Sequence, residues 1–150
     1  MLDIHIDDFF KDSALIFKTL YNAFPRRHDL FVEDIIGGPD ALDEFGLHSR
    51  RHEACLSCML WLAEEELIRH NGLIQLDGLD QAVLSNRALS LLCSAPSAEF
   101  ALQSASVPVP APTTFIALIH GILAEHSSEH LRCLMVDFFK KHDQYNGGSA

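Results

Sequence analysis

The stretch "SRRHEACLSCMLWLAEEELIRHNG", Ser49 to Gly72, constrains the fold more than any other part of the chain. At 100° per residue, Cys55, Cys58, Met59 and Leu62 fall on one face, the expected core stripe of a helix. Ser49 is a good N-cap, because its side-chain oxygen accepts from a free amide of the first turn. A helix from about Arg50 to Glu66 is expected, running directly into an extended segment. Leu56, Leu60, Ala63 and Leu67 widen the apolar stripe on one side, and Trp61 with Ala54 widen it on the other. Only Arg50, Glu53, Ser57 and Glu64 are left facing outward.

On its N-terminal side, "DDFFKDSALIFKTLYNAF" repeats apolar residues at spacings of three and four, the pattern of an amphipathic helix that Pro25 ends. Leu30–Val32 and Ile35-Ile36 suit either a short strand or a short helix, and Gly37-Gly38-Pro39 breaks both. One helical turn is expected over Asp40 to Phe45. Beyond Glu66, Asn71-Gly72 and Asp77-Gly78 are both hairpin signals. Asp77-Gly78 is favoured as the tip, because strands of Leu67–Leu76 and Leu79–Leu84 then flank it. Ser85 reads as the cap of a helix over "NRALSLL".

Composition then changes. "SAPSAEFALQSASVPVPAPTT" holds four of the six prolines and reads as a partly extended linker. Two apolar helices follow, over Thr113 to Ala124 and Ser128 to His142, with a break at residues 125–127. The domain expectation is a first domain over 1–95, a linker over 96–112 and a C-terminal helical appendage over 113–145. That appendage either packs on its own chain or exchanges with a second copy.

The order helix, short element, helix, helix, hairpin, helix resembles a winged helix-turn-helix domain of the bacterial transcriptional-regulator type. "LWLAEEELIRHNG" followed by "AVLSNRALSLL" carries the resemblance, which spans roughly residues 8–93. It implies a mainly α fold with a small β-hairpin, a recognition helix beginning near Ser49, and a C-terminal helical pair of the kind such regulators use to dimerise. Members often have Gly where this chain has Glu66, so the helix end departs from the pattern.

Charge argues against the nucleic-acid function that the resemblance suggests. The net charge is −10, and residues 26–70 hold five arginines against ten carboxylates. Neutralisation of phosphates supplies most nonspecific DNA affinity, so an acidic domain depends on cations gathered on one face. Two readings follow. The first is a non-enzymatic adaptor or regulatory subunit acting through protein–protein contacts, including a homodimer. Its contact surface would be the apolar surplus Leu56, Leu60, Trp61, Phe115, Ile119, Phe138 and Phe139. The second is a sequence-specific DNA-binding regulator. On that reading Arg50, Arg51, His52 and Ser57 lie in the groove, with Arg69, His70 and Arg87 nearby. The same polar set would serve a protein partner.

Catalytic chemistry finds no anchor. Cys55-x-x-Cys58, with His48 and His52 upstream, allows a zinc site to be drawn. Such pairs usually sit on turns with a second ligand pair, however, and these two fall on the apolar stripe, where thiols act as small hydrophobes. "HSSEH", His126 to His130, matches an inverted zinc-protease pattern. A serine cap at Ser127 or Ser128 would leave His126 outside the helix that carries His130. Gly37-Gly38-Pro39 lacks the lysine of a phosphate loop. No catalytic residue, metal or cofactor is expected. The longest apolar runs are too short for a membrane span. The acidic start and four cysteines without an export signal point to the cytoplasm.

Overall fold

The computed structural model describes residues 4–38, 42–98, 100 and 113–147. The fold is mainly helical with a small four-stranded antiparallel sheet. Two compact units, Met1–Ala88 and Leu89–Ala150, make up the chain. No described helix is long and apolar enough to cross a membrane.

The first unit opens with α1 (Ile4–Ala23), then β1 (His28–Phe31) and α2 (Val32–Ile36), so the ambiguous stretch is a strand and a helix in succession. α3 (Arg50–Glu64) leads into β2 (Ile68–Arg69), β3 (Leu73–Ile74) and β4 (Gly78–Leu84). β4 is the common strand. β1 pairs along one edge of it, while β2 and β3 pair along the other. The helices close over this sheet around Ile16, Phe17, Leu20, Leu30, Met59, Leu62, Leu67, Ile68 and Leu79, all essentially without solvent exposure. Each such side chain contributes on the order of 1.5–3 kcal/mol by leaving water.

Ser49 caps α3 as its side chain dictates, accepting from the His52 amide. The far end is more informative. Glu66 takes φ 62°, its amide donates to the Ala63 carbonyl, and the Leu67 amide donates to the Leu62 carbonyl. That is a Schellman ending with glutamate at the left-handed position, where glycine is usual. Leu62 and Leu67, which flank the motif, are both fully buried, and that burial offsets the cost of the left-handed conformation for glutamate.

The hairpin differs from the expectation. Its tip is residues 75–77, closed by the Asp77 amide donating to the Ile74 carbonyl, and Gly78 lies inside β4. Gly78 is required by its neighbour rather than by the turn: a Cβ there would stand 2.1 Å from the Leu30 carbonyl oxygen of β1. Gly72, at φ 127°, interrupts the other arm between β2 and β3 instead. No helical turn forms over the described residues 42–45. The Asp43 carboxylate accepts from the amides of Phe45 and Leu47 and ties that loop into a side-chain-capped turn. Residues 40 and 41 of that expectation lie outside the described residues.

α4 (Asn86–Leu92) is capped by Ser85 and runs across the boundary into the second unit. There α5 (Phe115–Glu125), capped by Thr114, and α6 (Ser128–Gly147) form a hairpin. Glu125 faces His130 at the turn, and Phe115 meets Phe138 edge-on at 5.4 Å toward the other end. His126 sits at φ 56° between the helices, so His126 and His130 do not share a helix. The start of the expected linker is tied down: Ser97 bonds Asp137 through its amide and hydroxyl, and Lys141 donates to Ser94 Oγ and the Ala95 carbonyl. Residues 99 and 101–112 of the linker lie outside the described residues.

Candidate functional site

The first turn of α3, the loop before it and the hairpin tip come together at one end of the first unit. The His48 and His52 rings stack face to face, with centroids 3.7 Å apart and planes within 5°. His52 Nε2 donates to the Leu76 carbonyl at 2.7 Å, and His48 Nε2 lies 3.5 Å from Asp77 Oδ1. Phe31, Glu33, His48, His52 and Asp77 line a pocket of about 180 Å³. The hairpin tip is thus latched to the helix start through two imidazoles. The chain next to the latch residues also carries exposed apolar side chains. Phe45, Leu47 and Leu76 are 78%, 60% and 59% exposed, and Leu42 and Leu73 are exposed too.

The polar set expected to touch DNA or a partner is scattered by the fold. Arg51 turns inward, donating to both oxygens of Asp12 at 2.7 and 2.5 Å, with Asp8 at 3.7 Å. The hydrogen bonds to Asp12, followed by the two carboxylate charges, hold its guanidinium pKa above the ordinary arginine value despite partial burial. Arg51 is therefore a structural cation and not a groove contact. His52 is buried under the hairpin tip and is likewise removed from the contact set. Arg50 and Ser57 stay exposed on α3. Exposed Arg69 and half-buried Arg87 line a second shallow cleft together with Glu66, which pairs with Arg87 at 3.6 Å. His70 Nδ1 accepts from the Gly72 amide, which shapes the β2–β3 interruption.

The expected apolar contact set also needs correction. Leu56, Phe115, Ile119 and Phe138 are buried by the chain itself, the last three in the packing of the second unit. Leu60 and Phe139 are partly covered. Trp61 retains 39% exposure and packs edge-on against Phe9 of α1 at 5.2 Å. Sequence reasoning missed the loop residues Phe45, Leu47 and Leu76. They have no periodic partner, and exposure in a loop is set by tertiary packing.

Cys55 and Cys58 are core thiols. Ser13 Oγ lies 3.4 Å from Cys58 Sγ, and burial pushes the Cys58 thiol up to about 12 and raises Cys55 as well. Neither is suited to nucleophilic or redox work at neutral pH. Their histidine neighbours turn instead toward Asp77, which sequence spacing did not connect to them. Comparison of the chain with protein-family models, curated proteins and solved structures returned no match.

Proposed function

We propose that the first unit is a winged helix-turn-helix-type domain that works by binding another protein, as a non-enzymatic adaptor or regulatory subunit. Support for the fold reading comes from the element order, from the antiparallel order β1-β4-β2, and from α3 feeding directly into the hairpin. The observation that carries the function is the character of the face made by the start of α3 and the hairpin tip. On a DNA reader this face offers cations to phosphates. Here it offers Phe45, Leu47, Leu76 and Asp77 with a single exposed arginine, Arg50, at the helix start, while Arg51 is committed to Asp12. Exposed apolar side chains gathered at one end of a small unit suit a protein partner, which removes them from water.

DNA binding is the second reading, favoured by exposed Arg50 and Ser57 on the outer side of α3 and by Arg69 on β2. A fluorescence-anisotropy titration with a duplex of about 30 base pairs, at about 50 and 200 mM salt, separates the two. The protein-binding reading expects weak association at both concentrations. Tight binding that falls steeply with salt and disappears in Arg50→Ala/Arg69→Ala would overturn it.

A further inference from the structure

We propose that His48, His52 and Asp77 form a binding site for a divalent transition-metal ion of the zinc class, clipping the hairpin tip to the first turn of α3. The inference is independent of the proposed function. Each of the three side chains offers one ligand atom, and these atoms lie within 4.8 Å of one another. Zinc bonds of about 2.0–2.1 Å in tetrahedral geometry space ligands by roughly 3.3 Å. The widest pair therefore has to close by at most about 1.5 Å, and because the two imidazole planes are parallel, the His48 ring has to turn out of its stack to aim a lone pair at the ion that His52 and Asp77 share.

The donor set selects the class of ion. Two imidazoles with one carboxylate suit zinc and its first-row neighbours, whereas magnesium and calcium prefer oxygen ligands throughout. Three protein ligands leave a fourth position, and the pocket of about 180 Å³ has room there for water, with Glu33 on its wall. The geometry also supplies outer-shell support. Because a carbonyl only accepts, the Leu76 oxygen takes the proton of His52 Nε2, which leaves Nδ1 as the ring nitrogen that a metal would take. Backbone carbonyls orient metal-bound imidazoles in this way. Leu76 directly precedes Asp77, so one turn both fixes the ring and presents the carboxylate. Cys55 and Cys58 stay in the core and contribute no thiolate.

The test is calorimetric titration of the metal-free full chain with zinc alone, repeated on His48→Gln, Asp77→Asn and Cys93→Ser/Cys133→Ser, with cobalt(II) absorption as a second readout. The site predicts one equivalent bound with a Kd on the order of 1 µM or tighter. It predicts at least tenfold weakening in each of the first two variants and no change in the cysteine variant. The cobalt spectrum should show visible bands without thiolate charge transfer. Should His48→Gln unfold on losing its ring stack, the near-isosteric Asp77→Asn still decides the matter. Absence of saturable zinc binding, equal affinity in Asp77→Asn, or loss of binding in the cysteine variant would each overturn the proposal.

Discussion

Replacing Arg51 with alanine tests whether this residue belongs to the interior or to a contact surface. The substitution leaves the Asp12 carboxylate, only 2% exposed, without the guanidinium that donates to both its oxygens. Breaking a buried pair by removing one partner costs about 3–5 kcal/mol. The Arg51 side chain is itself 33% exposed, so water reaches one side of the pair and the cost falls to the bottom of that range or just below it, about 2–3 kcal/mol. With a urea slope of roughly 1.5 kcal/mol/M for a unit of this size, the midpoint should fall by about 1.3–2 M. Trp61 is the single tryptophan and packs edge-on against Phe9, so its fluorescence reports separation of α1 from α3. The double variant Asp12→Leu/Arg51→Met removes both charges and should recover stability to within about 1 kcal/mol of the parent. A midpoint shift below about 0.5 M for Arg51→Ala would match a solvent-exposed pair. The burial argument would then fail, and Arg51 would return as a candidate for an external anion.

Three further outcomes follow from the backbone and the thiols. Glu66→Gly should raise stability by about 0.5–1 kcal/mol in the same urea assay, because glycine relieves the left-handed strain and only a weak, exposed pair with Arg87 is lost. Gly78→Ala should lose more than about 3 kcal/mol or fail to fold, since its Cβ would collide with the backbone of β1 at Leu30, and circular dichroism on heating would register this. For the core thiols the sign follows from linkage: the unfolded chain releases these protons near pH 8.5, whereas the folded chain holds the Cys58 proton to about 12. Stability is therefore fully present below about pH 8.5 and is lost as pH rises, by up to about 1.4 kcal/mol per pH unit for each thiol. Urea midpoints measured between about pH 7.5 and 10 should decline. In Cys55→Ala/Cys58→Ala the decline should flatten.

What the sequence made legible was local. The Ser49 and Ser85 caps, the core stripe of α3 and the break between α5 and α6 each depend on residues within a turn or two of one another. What it hid depends on crossing elements. Arg51 reads as a contact residue beside Arg50 until α1 lies across α3 and brings Asp12 to it. Asp77-Gly78 reads as the hairpin tip, whereas Gly78 lies inside β4 and is selected by the approach of β1 and not by the turn. Glu66 argued for an uncertain helix end, yet the burial of Leu62 and Leu67 overrides the local penalty. His48 and His52 were read with the cysteines nearest in sequence, while the fold turns them toward Asp77. Loop exposure at Phe45, Leu47 and Leu76 leaves no periodic trace at all.

Every other strand of the sheet pairs with β4, which is also the last of the four to be made. On a ribosome adding roughly 5–20 residues per second, β1 therefore waits several seconds for its partner. Through that interval a nascent chain carries "HDLF" as an unpaired strand that could pair with its neighbours on a polysome. Arg26, Arg27 and Asp29 flank or interrupt it with charge, the kind of guard that keeps a waiting strand from the wrong partner.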